Sequence, residues 1–427
     1  MAVGKFDGKV FLELGTSVSS VDIVKYAKSE GAYVIVTDYL PTEKSEAKQY
    51  ADETAMISTL DADALTEFAR EKKVDGVFCG VSEANLLSVK TITERLGLPC
   101  YFTREQWALC QDKAEFKKLC ERFEIPVPKA FEVSDELTRE QLDAIEYPVI
   151  VKPVDQGAGI GIHICHNEQE LLTGYRDAYE KSYAHRVVVE QYLVGDEISA
   201  AYIISNGAYR LSIMGDKYLN RGQEELLPLP DAYVYPSRHL GTYLEQLNDK
   251  VIQMFRSTGL TDGTVFVQGV VSQGNIYIFE AGLRMGGTAL YRFLEGINGV
   301  NMMKALTDYA LTGKLETDLS LEDPGFHGKR CCLVSLLNRG GKIARIRGVE
   351  EASLVKGVVR TVVRYPEGDT ILRSGTLKQS HIRFFVICDS AQELKDSVDH
   401  ILELVSVTDE NGQDMLLSRF DTEKLLY

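Results

Sequence analysis

No stretch of this 427-residue sequence approaches the ~18 consecutive apolar residues of a membrane-spanning helix, so no span is expected. Basic runs are missing too: 47 Lys plus Arg stand against 63 Asp plus Glu, a formal net charge of −16. So acidic a surface repels phosphate backbones and anionic lipid, which argues against nucleic acid and membrane as partners. The eight cysteines (Cys79, Cys100, Cys110, Cys120, Cys165, Cys331, Cys332 and Cys388) form no C-x-x-C pair and lie scattered in apolar segments. Such cysteines read as buried, reduced thiols, and a cytoplasmic protein is the expectation. The chain has neither the G-x-x-x-x-G-K-[ST] of a P-loop nor the G-x-S-x-G of a serine nucleophile. Histidine chemistry is equally thin. His163 and His166, three apart on an expected strand, point to opposite faces and share no metal.

What is present organises into about three domains, at roughly 150 residues each. The opening MAVGKFDGKVFLELG is too short and polar for a leader and reads as a first strand. KVFLEL, YVIVTDY and VDGVFCG then alternate with the helical patterns SSVDIVKYAKSEG, DADALTEFAREKKV and NLLSVKTITERLGL. That alternation predicts βαβ units on a parallel, Rossmann-like sheet over residues 1–105. Its first turn, Gly15 to Ser20, carries one glycine where a dinucleotide fingerprint needs three, so Asp38 makes a poor NAD site.

After a helical stretch from Asp112 to Phe123 and the proline-marked IPVPKAF, strands dominate: YPVIVKPV, IGIHICH, RVVVEQYL, ISAAYIIS, AYRLSIM, TVFVQGVVS and NIYIFEAG. Ser205-Asn206-Gly207 and Gln273-Gly274-Asn275 are hairpin signals, so this part is antiparallel α+β. From about residue 319, RCCLVSLL, GKIARIRG, VVRTVVRY and HIRFFVICD precede a helix from Ser390 with a Glu393 capping box, a third α+β unit. Its hairpins leave edge strands that a second subunit could cover, which keeps a homodimer open.

Three segments could carry chemistry. In VIVKPVDQGAGIGIHIC, Gly157, Gly159 and Gly161 lie between two strands, with Lys152 five residues before the first glycine. Such a loop either folds its N–H groups over phosphates as a lid or is a mobile hairpin beside a surface lysine. In VVVEQYLVGDEIS, the backbone around Glu190 and the following apolar residues can meet an adenine edge, and Glu197 can accept from ribose hydroxyls; ordinary strand-end acids are the alternative. In VFVQGVVSQGNIYIFEAGLRMGG, Gln268 and Glu280 sit on two hairpin strands whose parity allows one face, an oxygen pair of the kind Mg²⁺ takes. Arg284 is placed to meet a phosphoryl group, and Gly286 and Gly287 open a helix whose N–H groups favour anions.

In this order the segments resemble the ATP-grasp superfamily over nearly the whole chain. The resemblance implies the pre-ATP-grasp domain at 1–105, a small lobe with preceding helices at 106–195, a large lobe at 196–318 and a C-terminal lobe at 319–427. It implies ATP contacts at Lys113, Lys152, Gly157, Gly159, Gly161, Glu190, Gln191, Leu193 and Glu197, and metal ligation by Gln268 and Glu280. Mg²⁺, with Mn²⁺ as the alternative ion, is the implied metal. Catalytic roles fall to Arg284 and, from GDKYLN, Lys217. Two positions depart from the family pattern: Gln268 stands where many members have Glu, and Gly282 where E-x-N-P-R has Asn, which leaves the number of metal ions open.

The reaction implied is ATP-dependent joining of a small carboxylate or amino acid to an amine through an acyl phosphate. Lys217 with VYPSRHL and GKIARIRGVEEA is most similar to amino-acid ligases and phosphoribosylglycinamide synthetase relatives, and Gln268 to the carbamoyl-phosphate synthetase branch. Alternatives are a purine-pathway or carbamoyl-phosphate-type ligase, and an ATP-binding regulator weakened at Gly282.

Overall fold

Alternate residues of the first strands face opposite ways, and both sets are apolar, so the sheet they build must be covered on both sides. The computed structural model describes residues 4–17, 19–134, 137–157, 159–220, 228–288, 290–417 and 419–427. The first three residues of the expected opening strand region and Val18 of the glycine-poor turn lie outside them. Strands Glu53–Ala55, Tyr33–Thr37, Val10–Leu14 and Gly76–Phe78 pair in that order, all parallel. Phe11, Val34 and Val36 pack under helix Ser20–Ser29, while Leu12, Leu14 and Ile35 meet helices Ala62–Glu71 and Glu83–Leu96. Each such side chain removed from water contributes roughly 1.5–3 kcal/mol. Gly76 lets helix Met302–Thr312 lie close, since a Cβ there would stand 2.4 Å from the Ala310 carbonyl oxygen.

A second, antiparallel sheet takes the order Ala130–Phe131, Val187–Gln191, Val149–Pro153, His163–Cys165. Helix Glu168–Lys181 backs it, with Leu171 and Ala178 against Val149, Val151 and Val189 in a small core of its own. The expected strand IGIHICH is reduced here to His163–Cys165, because the glycine segment before it turns rather than extends.

The third sheet has eight strands: Asn275–Gly282, Gly263–Ser272, Asp196–Ser205, Ala208–Asn220, Leu229–Tyr235, Arg330–Leu337, Ser380–Cys388 and Val358–Val363. Both expected hairpin turns form. Asn206 and Gly207 (φ 50° and 76°) and Gln273 and Gly274 (φ 50° and 80°) take the paired left-handed geometry that suits strand twist. One face packs Ala200, Tyr202, Val265 and Val267 on helices Leu240–Gln246 and Asn248–Ser257. The opposite face packs Ala201, Ile203, Tyr233 and Phe266 on helices Tyr291–Asn298 and Met302–Thr312. Strand Arg330–Leu337 hydrogen-bonds directly to Leu229–Tyr235, so the sheet runs unbroken past residue 319 into the C-terminal unit. Helix Ala391–Leu404 covers that end through Leu394, Val398 and Ile401. Among the described residues no helix is long and apolar enough to cross a membrane, and all eight cysteines are free, seven of them buried.

Candidate active site

Helix Lys113–Arg122 starts where Asp112 caps it, accepting from the Ala114 and Glu115 amides at 2.9 and 3.1 Å. Lys113 and Lys117 are four residues apart, hence on one face, and that face points inward: both are buried. Lys113 donates to the Gln156 carbonyl at 2.7 Å, at the entrance of the glycine loop. Lys117 forms an ion pair with Glu190, whose other oxygen lies 2.9 Å from Lys152 Nζ. Three buried lysines thus lie close together, two of them on one carboxylate that is 0% exposed. Burial, then Lys152 and Lys113, pulls Lys117 down to about 6; burial and Lys113 pull Lys152 down to about 8, against Glu280 and Glu197. Lysines held down in this way recover their full charge beside an anion of high charge.

The neighbouring backbone is partly spoken for. The Gln191 amide donates to the Lys129 carbonyl at 2.9 Å and its side chain is exposed, whereas the Leu193 amide donates to nothing among the described residues. Leu193 therefore presents an open donor of the kind a purine ring nitrogen accepts, and Glu190 contributes charge balance rather than an open carboxylate. In the loop between strands Val149–Pro153 and His163–Cys165, a Cβ on Gly157 would meet nothing within 4 Å. Gly161 (φ +69°) has no room for one, with Pro153 Cγ at 2.8 Å.

The oxygen pair is directly aligned: Gln268 stands opposite Glu280 across the hairpin, and Ser199 opposite Gln268 on the other side. Two residues before Ser199 on the same strand, Glu197 stands opposite Lys217, joined by a 2.6 Å ion pair. Burial would lower the Lys217 pKa, but Glu197, Tyr233 and Glu280 outweigh it and hold the amine above its usual value. The donors suit a hard cation with oxygen ligands: one carboxylate, one amide oxygen, and no group of three or more His, Cys, Asp or Glu among the described residues.

The two residues expected to share catalysis have different neighbours. Lys217 belongs with Glu197, whereas Arg284 forms an ion pair with Glu83 of the parallel-sheet domain and lies 4.7 Å over the Phe266 ring. Gly282 faces Phe266 across the hairpin, and a Cβ there would stand 2.3 Å from the ring. The aromatic ring fills the space that an asparagine at 282 would enter, so the missing ligand is built into the packing. Sequence reasoning missed Lys117, Glu83 and Phe266. Only Lys117 had a signal, its four-residue spacing from Lys113.

Nearby, at the C-terminal end of strand Val10–Leu14, Glu13 is also 0% exposed. Ser20 Oγ donates to one oxygen at 2.7 Å, and the other finds no hydrogen bond among the described residues. Burial pushes its pKa up to about 8, only partly offset by Ser20.

Residues 119–295 match the family model described as the D-ala D-ala ligase C-terminus. The carbamoyl phosphate synthase large chain of Clostridium botulinum is 24% identical over 376 residues, covering 80% of this chain and 33% of that protein. The chain therefore spans about a third of the length of this relative. The L-amino acid ligase from Bacillus licheniformis superposes with a TM-score of 0.77 at 17% identity, covering 95% of this chain and 100% of that one. Phosphoribosylglycinamide synthetase from Anaerococcus prevotii gives 0.73 at 18%, covering 93% and 99%. These likenesses bear out the ATP-grasp resemblance and a mixed α/β architecture of several sheets.

Proposed function

We propose that this chain is an ATP-grasp enzyme, an ATP-dependent carboxylate–amine ligase. The observation that carries the reading is the convergence of buried Lys113, Lys117 and Lys152 at the glycine loop, with the Glu280 charge felt at Lys152. Lysines so crowded favour a polyphosphate, and the open Leu193 amide favours a purine beside it. Gln268 and Glu280 would hold Mg²⁺ or Mn²⁺, which supplies charge neutralisation on the phosphates. ATP transfers its γ-phosphoryl group to a carboxylate oxygen, releasing ADP. An amine then attacks the acyl carbon, phosphate leaves, and the nitrogen loses a proton. In this reading Lys152 and Lys113 orient the phosphates, Glu197 holds the ribose, and Arg284 turns from Glu83 to the transferring group. The glycine loop excludes water from the acyl phosphate.

Phosphate release from ATP and Mg²⁺, screened against amino acids singly and in pairs, tests the reaction. Stimulation by a particular pair is expected, and Glu280→Ala is expected to abolish it while the protein stays folded. Turnover unchanged in that variant would remove Glu280 from the metal site. Gly282 packed on Phe266 favours one second reading, an ATP-binding regulator. Nucleotide binding with no phosphate release across amino acids and other carboxylates would select it.

A further inference from the structure

Strand Ser380–Cys388 brings an arginine to the same sheet face as the candidate site. The register runs Glu197, Lys217, Tyr233, Leu333, Phe385 across five strands, and Arg383 precedes Phe385 by two residues, so it shares that face. Arg383 is 7% exposed, with Ser335 and Val362 opposite it on its two neighbouring strands. Its Nε donates to Ser380 Oγ at 2.9 Å, yet no carboxylate pairs with it among the described residues. Just past the end of the next strand, Val358–Val363, Arg364 adds a charge of the same sign, and its own hydrogen bond goes to the Leu377 carbonyl. Tyr233, nine-tenths buried, has no hydroxyl partner among the described residues, and the charges of Lys217 and Arg383 both act on its phenol.

A buried guanidinium is ordinarily paired, because it cannot shed its charge and desolvation without a counter-ion is costly. This chain has 16 more acids than bases, and still leaves Arg383 without one among the described residues. We infer that Arg383, with Tyr233 beside it, binds an oxyanionic group, carboxylate or phosphate, carried by one of the two substrates. The inference rests on the ligase reading of the same face. It narrows the substrate class to molecules with an anion remote from the reacting end. Arg383 supplies the fork of donors that matches two oxygens, and Tyr233 a neutral donor between it and Lys217.

With Mg²⁺ and AMP-PNP saturating the nucleotide site of the full chain, succinate and inorganic phosphate are titrated separately by calorimetry. One of them is expected to bind, and to bind at least tenfold more weakly to Arg383→Gln, while AMP-PNP affinity stays the same. Preference for succinate identifies a carboxylate substrate, and preference for phosphate a phosphorylated one. Arg383→Lys, which keeps the charge and loses the fork, is expected to fall between and serves if the Gln variant does not fold. Equal anion affinity in the parent and these variants, or no binding of either probe to the parent, overturns the assignment. Failure of AMP-PNP itself to bind the parent overturns the ligase reading instead.

Discussion

Glu13 and Glu190 are both 0% exposed at the ends of strands, and they solve burial in opposite ways. Glu190 lies between Lys117 and Lys152, so its charge is neutralised by partners themselves buried. Among the described residues Glu13 has only the Ser20 hydroxyl, and burial raises its pKa to about 8. Depth alone therefore does not decide whether a carboxyl group is charged; the cations that the fold brings beside it do. The lysine-flanked acid sits where a polyphosphate is proposed to bind, and the solitary one at the C-terminal end of an inner strand of the parallel sheet.

Breaking the lysine cluster is expected to have the largest effect. Glu190→Gln strands buried ammonium groups and should cost about 3–5 kcal/mol of stability, read by urea unfolding without nucleotide. Adding ATP is expected to recover part of that loss, because the phosphates replace the missing charge. Next in size is a pH effect at Glu13. Its folded value, about 8, lies above the ordinary 4.5, so its contribution is complete below 4.5 and is lost as pH rises towards 8. The slope is about 1.4 kcal/mol per pH unit in that window. Glu13→Gln should flatten this part of the stability profile; an unchanged slope would mean that Glu13 ionises normally. Smallest is Ser20→Ala, which removes the donor to Glu13 and should cost about 1–3 kcal/mol at pH 6, measured by thermal unfolding.

Much of this arrangement was legible from local pattern. Periods of two and 3.6 placed the strands and helices, Asn206-Gly207 and Gln273-Gly274 marked their hairpins, and strand parity allowed Gln268 and Glu280 one face, where the register sets them opposite each other. Lys152 and Glu190 stood out, but the contact between them depends on strand Val187–Gln191 pairing beside Val149–Pro153, a matter of tertiary register. Glu83 and Arg284 are 201 residues apart, one opening helix Glu83–Leu96 and the other just past strand Asn275–Gly282, so no spacing rule joins them. Phe266 looked like an ordinary strand residue. Only its position opposite Gly282 explains why the usual asparagine has no room.

The unbroken ladder from Asn275–Gly282 to Val358–Val363 has a mechanical consequence. The face carrying Glu280 and the face carrying Arg383 belong to one hydrogen-bonded plate, so their spacing is held by backbone and not by side chains. The four-stranded sheet bearing Lys152 and the glycine loop has its own core and shares no strand with that plate. Under the proposed function, closure over a nucleotide would fall to this lobe moving against a stiff base. A chain cut after residue 318 would keep every candidate ATP contact yet bare the long edge of strand Leu229–Tyr235, an invitation to edge-to-edge association.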